Sequence, residues 1–269
     1  MATRGDRARK MSLWNTPRLA LRAVAAFLWT LLVHYFGVRL RQLFRPNERC
    51  LGAISTWGSG LAWIMGVRVH PHNRREGPMG DIVIANHMGF LDVPVLLRYF
   101  PAVFVIKMEL RRVFYFGGCL AKQGHVFVDR GDGDSRQRAA ADLAAVLEQG
   151  DRVIVFPEGR ASPGAKRLPF RRGSFEVAQR LGKRVELCVI DYLPDRRVLE
   201  WDVNRPMRSQ LADLFGRRRI DVSVEFFPAE TVHDAERLAD RYRDIVEQRL
   251  LAHDAEREAL AAGGPATGR

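Results

Sequence analysis

A histidine and an aspartate, His87 and Asp92, follow the short apolar run 82–85 and are separated by five positions. Imidazole titrates near neutrality, and a carboxylate bound to one ring nitrogen fixes the tautomer and stabilises the imidazolium that forms. The pair is therefore suited to general-base catalysis. On one continuous helix, five residues would turn the two side chains about 140° apart. They can meet only if His87 lies in a loop and Asp92 begins the next helix.

The elements around this pair are predicted by the local sequence. The run 82–85 lies between a charged and a polar residue, which indicates a buried strand with His87 at its exit. Residues 93–100 predict a helix, with Asp92 beside its N-cap and Pro94 in its first turn, where the missing N–H costs nothing. The alternative interpretation is that Asp92 only caps this helix and that His87 only bonds loop amides.

Two cations stand where other predicted strands end. Lys107 follows the strand predicted at 102–106, and Arg130 follows the strand predicted at 125–128. Open α/β sheets bind ligands at the carboxyl ends of their strands, and a guanidinium can hold a phosphate with two parallel hydrogen bonds. We therefore predict that both residues bind an anionic substrate. The alternative for each is an ordinary surface cation.

The strand predicted at 152–156 runs directly into Pro157, Glu158 and Gly159. The proline ends the strand, and the glycine permits a tight turn or a close approach of the backbone to a ligand. Glu158 is expected to face the same cleft as His87. The alternative is an ordinary turn with a solvated acid.

Arg171 and Arg172 precede a helix predicted at 173–181. The free amides and the dipole at a helix start favour anions, so both arginines are candidates for substrate binding. A basic loop that lies against anionic lipid is the alternative.

In this order, these segments resemble the motifs of the glycerolipid acyltransferases, the superfamily that includes 1-acylglycerol-3-phosphate acyltransferase. The matching segments are NHMGFLD at 86–92, KMEL at 107–110, GHVFVDR at 124–130, FPEGRAS at 156–162 and PFRRGS at 169–174. The likeness implies that Gly124 and Arg130 belong to a substrate-binding motif. It also implies that the Glu158–Gly159 segment binds the glycerol portion of the acceptor, and that Arg160 binds its phosphate. The segment LCVIDY at 187–192 departs from the V-P-V pattern of many members.

The resemblance implies an enzyme that moves a fatty acyl group from acyl-CoA or acyl carrier protein to the free hydroxyl of a lysophospholipid, with lysophosphatidic acid as the expected acceptor. His87, oriented by Asp92, would remove the hydroxyl proton. The chain has no Gly-x-Ser-x-Gly segment and no cysteine in a recognisable nucleophile motif, so an acyl-enzyme is not expected. No cofactor is expected beyond the acyl donor itself. The alternatives are another acceptor, such as a lyso-aminolipid, a hydrolase, and a non-catalytic basic protein that binds membranes or nucleic acid.

Composition agrees with an anionic partner. Lysine and arginine number 43 against 31 acids, a formal charge of +12, which favours a phosphate-bearing substrate, an acidic membrane surface or nucleic acid. The motifs and the apolar N-terminus argue against nucleic acid. Cys50, Cys119 and Cys188 are widely spaced, so neither a disulfide framework nor a metal site is expected, and a reducing cytoplasm fits best.

The N-terminal region predicts membrane attachment. Residues 23–38 are apolar, but sixteen helical residues reach only about 24 Å, short of the roughly 30 Å hydrocarbon core. A second apolar stretch covers 51–67, so we predict a helical hairpin within one leaflet of the inner membrane. Arginines flank the first segment on both sides, which places the active site on the cytoplasmic face. A single spanning helix is the alternative.

The rest of the chain alternates strand-like and helix-like segments, which predicts an α/β fold with a mixed, largely parallel central sheet flanked by helices. Further strands are expected at 67–70, 185–191 and 219–227. A helix is predicted to end at residue 149 after a cap at Asp134 or Ser135, and a surface helix is predicted within 231–258. The predicted division is 1–66 for the basic N-terminus and membrane segment, 67–258 for the catalytic domain and 259–269 for a disordered tail.

Overall fold

The computed structural model describes residues 16–45, 49–73, 78–112, 116–129, 131–194, 196, 199–202 and 204–261. The helices are α1 Thr16–Leu32, α2 Leu40–Phe44, α3 Leu51–Ile64, α4 Asp92–Leu97, α5 Phe116–Lys122, α6 Gly133–Glu148, α7 Gly173–Leu181, α8 Met207–Gly216 and α9 Ala235–Ala261. The strands are β1 Val67–His72, β2 Ile82–Ala85, β3 Val103–Lys107, β4 Val126–Val128, β5 Val153–Val155, β6 Arg184–Leu193, β7 Ile220–Phe226 and β8 Glu230–Thr231. A π-helical segment, Val33–Arg39, joins α1 to α2, and a 3-10 turn, Met108–Arg112, follows β3.

In the described part of the chain, the strands form one sheet with the order β1-β7-β6-β2-β5-β3-β4, and β8 pairs with β6. The five strands β6, β2, β5, β3 and β4 run parallel to one another. Strand β7, with β1 parallel to it, runs antiparallel to β6. The predicted mixed, largely parallel sheet is therefore confirmed. Because the five parallel strands share a direction, the segments that follow them lie at one edge of the sheet.

Helices cover both faces of the sheet because its central strands are apolar on both sides. In β2, Ile82 and Ile84 face the core that α6, α7 and α9 complete. Val83 and Ala85 face the opposite core, which includes side chains of α3, α4 and α8. All four side chains are fully buried. Packing from both sides holds β2 in place, so the backbone of His87, two residues beyond it, starts from a fixed position.

The N-terminal helices α1 and α3 pack against each other in opposite directions. Trp29 Nε1 donates a hydrogen bond of 3.1 Å to the carbonyl of Trp57, and Trp57 Nε1 donates one of 3.0 Å to the hydroxyl of Thr30. In the π-helical segment that continues α1, Gly37 lies against Ala53, near the start of α3. The predicted N-terminal apolar helices are therefore present.

The outer surface of this helical pair is apolar. Large exposed apolar side chains occur along it: Leu21, Val24, Phe27, Leu28, Leu32, Tyr35, Phe36, Leu40, Leu43, Phe44 and Trp63. Among the described residues, the helix Pro17–Phe44 is long and apolar enough to cross a membrane, and only 17% of its most apolar window is buried. Exposed apolar side chains in this number are typical of a membrane or protein contact.

Two predicted helices differ in the structure. Helix α6 begins two residues earlier than predicted, and its N-cap is Asp132, whose carboxylate accepts from the amides of Asp134 and Ser135 at 3.0 and 3.2 Å. Helix α9 is more than a surface helix, because it buries an apolar face against the sheet with Tyr242 and Leu250.

The two ends of the chain are described only in part. Residues 259–261, which were predicted to be disordered, continue α9. Residues 1–15 and 262–269, which hold most of the predicted basic N-terminus and tail, lie outside the described residues.

Candidate active site

The segments that follow four parallel strands meet at the carboxyl edge of the sheet. His87, Glu158 and Asp129 follow β2, β5 and β4, respectively, and Lys107 is the last residue of β3. The shared direction of the strands places all four segments on the same side of the molecule. The structure thus brings together the motifs that the sequence distributes over more than seventy positions.

His87 and Asp92 are in direct contact. His87 Nδ1 lies 2.7 Å from Asp92 Oδ2. The histidine lies in the connection after β2, and Asp92 is the first residue of α4, which is the arrangement that the five-residue separation requires. Because a carboxylate only accepts hydrogen bonds, the contact places the proton on Nδ1 and leaves Nε2 as the basic nitrogen. The Asp92 side chain is fully buried, whereas that of His87 is 23% exposed.

The carboxylate of Asp92 receives three further hydrogen bonds. Its Oδ2 accepts from the amides of Met88 and Gly89 at 2.7 and 2.9 Å. Its Oδ1 accepts from the Tyr192 hydroxyl at 2.5 Å. Burial, followed by the charge of Asp92, raises the pKa of Tyr192 well above its usual value, so the phenol remains a donor. Four donors around one carboxylate suit its ionised form, which accepts and does not donate.

The backbone and ring of His87 are also held. Its N–H donates to Glu158 Oε1 at 2.9 Å. Its carbonyl accepts from the Ser162 amide at 3.0 Å and from Arg167 Nη2 at 2.9 Å. The imidazole stacks on the ring of Phe156, with centroids 4.2 Å apart and planes inclined by 14°. The histidine is therefore fixed by its main chain, its ring face and its Nδ1 atom together.

Glu158 forms a buried ion pair with Arg167. Arg167 Nη2 lies 2.6 Å from Oε1 and 2.8 Å from Oε2 of the carboxylate, and the Ser162 hydroxyl donates to Oε2. Neither side chain of the pair has exposed surface. Glu158 contributes to the wall of the polar cavity at this edge of the sheet, but both oxygens of its carboxylate bond within the protein. Its contact with an acceptor hydroxyl stays a prediction.

A polar cavity of about 630 Å³ lies at this edge of the sheet. Three cations contribute to its wall, Lys107, Arg160 and Arg171, together with three acids, Glu109, Asp129 and Glu158. Lys107 Nζ lies 4.0 Å from Glu109 Oε1, and both side chains are more than half exposed, so this pair contributes little to stability. The cations are therefore available to an anionic ligand.

A second cavity of about 690 Å³ shares Val128, Gly159 and Arg171 with the polar cavity. Its wall has a large apolar part, formed by Val105, Val128, Ala139, Ala140, Leu143, Val155, Phe156 and Phe170, and a polar part that includes Arg136, Gln137, Arg172 and Glu176. Phe156 is also the residue on which the His87 ring stacks. The second cavity therefore adjoins the polar cavity and lies next to the His87 ring through Phe156.

The turn after β5 has the geometry that the sequence predicted. Gly159 has φ +76°, and a Cβ atom at this position would lie 2.8 Å from Arg171 Nε. Glycine is required here because a larger residue would strain the backbone and displace the arginine. Arg171 itself is held by a hydrogen bond of 2.9 Å from its amide to the carbonyl of Pro157.

Three other predicted site residues have different outcomes. Arg172 lines the apolar cavity and lies 2.5 Å from Glu236 in an exposed ion pair. Gly124 precedes β4, so it lies at the amino end of that strand, at the opposite edge from His87, where the Arg49 side chain packs on it. Gly124 is therefore not among the residues that line the polar cavity, and its role in substrate binding stays a prediction. Arg130 lies outside the described residues.

Sequence reasoning missed two residues of the site, Arg167 and Tyr192. Arg167 lies 80 positions from its partner His87, and Tyr192 lies 100 positions from Asp92. No local periodicity connects such distant residues. An indirect signal existed for Tyr192, which is the last residue of the segment 187–192 that departs from the V-P-V pattern of the family.

An open, largely parallel sheet with a His–Asp pair and a cation-lined cavity at its carboxyl edge is an arrangement that can support general-base catalysis. Among the described residues, no group of three or more His, Cys, Asp or Glu side chains is placed to hold a metal ion.

Comparisons with known proteins place the chain in one family. Residues 66–191 match the family described as Acyltransferase. The chain is 28% identical over 184 residues to the 1-acyl-sn-glycerol-3-phosphate acyltransferase of Neisseria gonorrhoeae, an alignment that covers 66% of this chain and 70% of that protein. It is 34% identical over 189 residues to the lyso-ornithine lipid O-acyltransferase of Pseudomonas aeruginosa, with 58% of this chain and 71% of that protein covered.

A solved structure shares the fold. The crystal structure of the 1-acyl-sn-glycerophosphate (LPA) acyltransferase of Thermotoga maritima matches with a TM-score of 0.67 at 20% identity, over 92% of this chain and 98% of that chain. The chain therefore belongs to the acyltransferase family that contains the lysophosphatidic acid and lyso-ornithine lipid acyltransferases, and it is an O-acyltransferase.

Proposed function

We propose that this enzyme transfers a fatty acyl group from acyl-CoA or acyl carrier protein to the free hydroxyl of lysophosphatidic acid, which yields phosphatidic acid. The observation that carries the proposal is the contact of 2.7 Å between His87 Nδ1 and Asp92 Oδ2, at the same edge of the sheet as a cation-lined cavity. The pair supplies a base, and the cavity supplies a place for a phosphate.

The proposed mechanism is direct transfer. His87 Nε2 accepts the proton of the acceptor hydroxyl while the oxygen attacks the thioester carbonyl. A C–O bond forms, the C–S bond breaks, and the imidazolium returns the proton to the departing thiolate. Asp92 stabilises the imidazolium between these two steps. A positioned general base contributes roughly 10²- to 10⁴-fold to the rate, and the rest must come from orientation of the two substrates.

The two adjoining cavities fit the two parts of such an acceptor. Lys107, Arg160 and Arg171 are the cations of the polar cavity, and we assign the phosphate monoester to them, because charge-assisted hydrogen bonds are stronger than neutral ones. The wall of the second cavity has a large aliphatic and aromatic part, and we assign a fatty acyl chain to it. The wall that the two cavities share at Gly159 would then lie between the phosphate and the fatty acyl chain.

A second acceptor class is favoured by a specific feature of the polar cavity. Glu109 and Asp129 line it together with the cations, so its wall can receive an ammonium group as well as an anion. A zwitterionic lyso-aminolipid carries both charges. The similarity to the Pseudomonas aeruginosa lyso-ornithine lipid O-acyltransferase supports this candidate.

We further propose that α1, α2 and α3 attach the enzyme to the cytoplasmic face of the inner membrane without crossing it. The exposed apolar side chains of these helices would enter one leaflet. Arg39 and Arg41 are exposed beside them, and long basic side chains at such positions reach to the lipid headgroups. This arrangement would hold the active site near lipid acceptors and near soluble acyl donors of the cytoplasm.

The experiment that tests the proposal uses the full chain in phospholipid vesicles with acyl-CoA or acyl carrier protein as donor. Lysophosphatidic acid, lyso-ornithine lipid and lysophosphatidylethanolamine are offered separately, and the product is quantified by mass spectrometry. We expect lysophosphatidic acid to give the highest kcat/KM. A preference for lyso-ornithine lipid would replace the first acceptor with the second. Release of free fatty acid without lipid product would contradict both and indicate a hydrolase.

A further inference from the structure

The Tyr192 hydroxyl is positioned against the catalytic carboxylate. Tyr192 lies in β6 and has no exposed surface, and its hydroxyl donates to Asp92 Oδ1 at 2.5 Å. The other three donors of this carboxylate, from His87, Met88 and Gly89, all bond Oδ2. Tyr192 is therefore the donor that the described residues direct at the second oxygen.

This division of donors determines the orientation of the carboxylate. A carboxyl group turns about its Cβ–Cγ bond, and donors on one oxygen alone leave the other oxygen buried without a partner. A charged oxygen without a hydrogen bond is costly in a buried site. The phenol removes this cost in the one orientation that also places Oδ2 against the imidazole. The hydrogen bond to Oδ1 thus favours the geometry that the base requires.

The surroundings of Tyr192 hold its hydroxyl in place. Gly89 packs closely, since a Cβ atom there would lie 3.4 Å from Tyr192 Oη. The Trp201 amide donates to the carbonyl of Met88 at 2.8 Å, which holds the loop between the histidine and the aspartate. Charged groups near the phenol are Asp92, Glu200 and Asp191, all of them acids, so the phenol remains protonated and able to donate.

We propose that Tyr192 is a positioning residue for general-base catalysis: its hydroxyl fixes the Asp92 carboxylate in the orientation that holds His87 for proton transfer. This inference rests on the proposed function, because it assumes that His87 is the base. The contrasting role is structural only, with Tyr192 as a buried ring that fills the core and a hydroxyl that adds nothing to turnover.

The test removes the hydroxyl and keeps the ring. Tyr192→Phe is compared with Tyr242→Phe, the same change at a second buried tyrosine. The Tyr242 hydroxyl lies 3.4 Å from the carbonyl of Val185, which pairs with Ile82 at the start of β2, whereas His87 follows the end of that strand. We expect Tyr192→Phe to lower kcat about tenfold with KM for both substrates changed less than twofold, whereas Tyr242→Phe leaves kcat unchanged. Thermal unfolding of both variants measures their folded fraction.

A double-variant comparison separates positioning from packing. If the hydroxyl acts through the carboxylate, Tyr192→Phe introduced into the Asp92→Asn variant lowers kcat by less than twofold, because the group it orients is already changed. Tyr192→Met, which fills the same space without a donor, is a second single variant, and either single variant that folds is sufficient for the comparison.

Full turnover of a folded Tyr192 variant, or a tenfold loss that persists in the Asp92→Asn background, would overturn the inference. These outcomes are distinguishable from failure of the proposed function. If the proposed function is wrong, the unchanged enzyme acylates none of the lyso-lipids, or the His87→Gln variant turns over at the normal rate.

Discussion

The carbonyl oxygen of His87 accepts a hydrogen bond of 2.9 Å from Nη2 of Arg167, whose guanidinium also pairs with the carboxylate of Glu158. The same guanidinium donates to the carbonyls of Ser162 and Gly164 at 3.1 and 2.9 Å. One buried side chain thus joins the loop after β2 to the loop after β5. The position of His87 therefore depends on the hydrogen bonds of Arg167 as well as on Asp92.

Replacement of Arg167 is therefore expected to destabilise the fold. Arg167→Met leaves the Glu158 carboxylate buried without its partner, and breaking a buried pair in this way costs about 3–5 kcal/mol. We expect a corresponding loss in the free energy of unfolding, measured with urea in detergent micelles. Lys166→Met is the matched control, because Lys166 is the exposed neighbour in the same loop.

A double variant tests the electrostatic origin of this loss. When Glu158→Gln accompanies Arg167→Met, no charge is left unpaired, and at least half of the lost stability should return. If the double variant is no more stable than Arg167→Met alone, the cost arises from packing and not from the buried charge.

Arg160 is expected to act on acceptor affinity and not on stability. It is exposed and lines the polar cavity. Loss of one charge-assisted hydrogen bond costs about 1.5–3 kcal/mol, so Arg160→Ala should raise KM for lysophosphatidic acid at least tenfold, with kcat much less affected. Initial rates over a range of acceptor concentrations measure this. Arg180→Ala, an exposed arginine at the far end of α7, is the control. Equal KM values for the two variants would contradict the assignment of the phosphate to this cavity.

The exposed apolar surface of the N-terminal helices should control membrane binding. We expect the triple change Phe27→Gln, Phe36→Gln and Phe44→Gln to reduce co-sedimentation with anionic phospholipid vesicles at least tenfold, because each exposed aromatic side chain contributes apolar area to the lipid contact. Leu251→Gln is the control, since Leu251 is comparably exposed but lies on α9. Undiminished vesicle binding by the triple variant would show that another surface attaches the protein.

The stability of the fold should fall in mild acid because of His125. Its Nδ1 accepts from the Phe104 amide at 2.9 Å, and burial lowers the pKa of His125 from its usual 6.5 to about 4. Between these two values the unfolded chain binds the proton that the folded chain does not. The free energy of unfolding is therefore unaffected by His125 above pH 6.5. It falls as the pH is lowered towards 4, by up to about 3 kcal/mol.

The measurement for this residue is the free energy of unfolding from pH 7 to pH 4.5. His125→Asn keeps an acceptor for the Phe104 amide but does not titrate in this range, so its stability should depend less steeply on pH. An identical slope in the variant and the unchanged protein would assign the acid sensitivity to other groups.

Much of the fold was predictable because its signals are local. The run 82–85 is apolar on both faces, and it is a strand buried on both sides. The five-residue separation of His87 and Asp92 required a loop followed by a helix start, and the structure has both. Each of these conclusions depends on residues within a few positions of one another, where periodicity and helix geometry determine the outcome.

The parts that were not predictable depend on distant pairs. The pairing of Glu158 with Arg167 was not predictable because Arg167 lies in a loop without regular periodicity, and only the folded chain shows that the two side chains are buried together. Gly124 was assigned to the site by its motif alone, but a residue before a parallel strand lies at the opposite edge of the sheet from a residue after one. The presence of Gly124 in a motif therefore did not indicate where the residue lies in the fold.

The central claim, that His87 is the base, is tested most directly by steady-state acyl transfer to lysophosphatidic acid in vesicles by the unchanged enzyme, His87→Gln and Asp92→Asn, with Asp142→Asn on the exposed face of α6 as the control. We predict loss of at least 10²-fold in kcat for His87→Gln and at least tenfold for Asp92→Asn, with folding and vesicle binding retained. Turnover by folded His87→Gln within twofold of the unchanged enzyme would contradict the account.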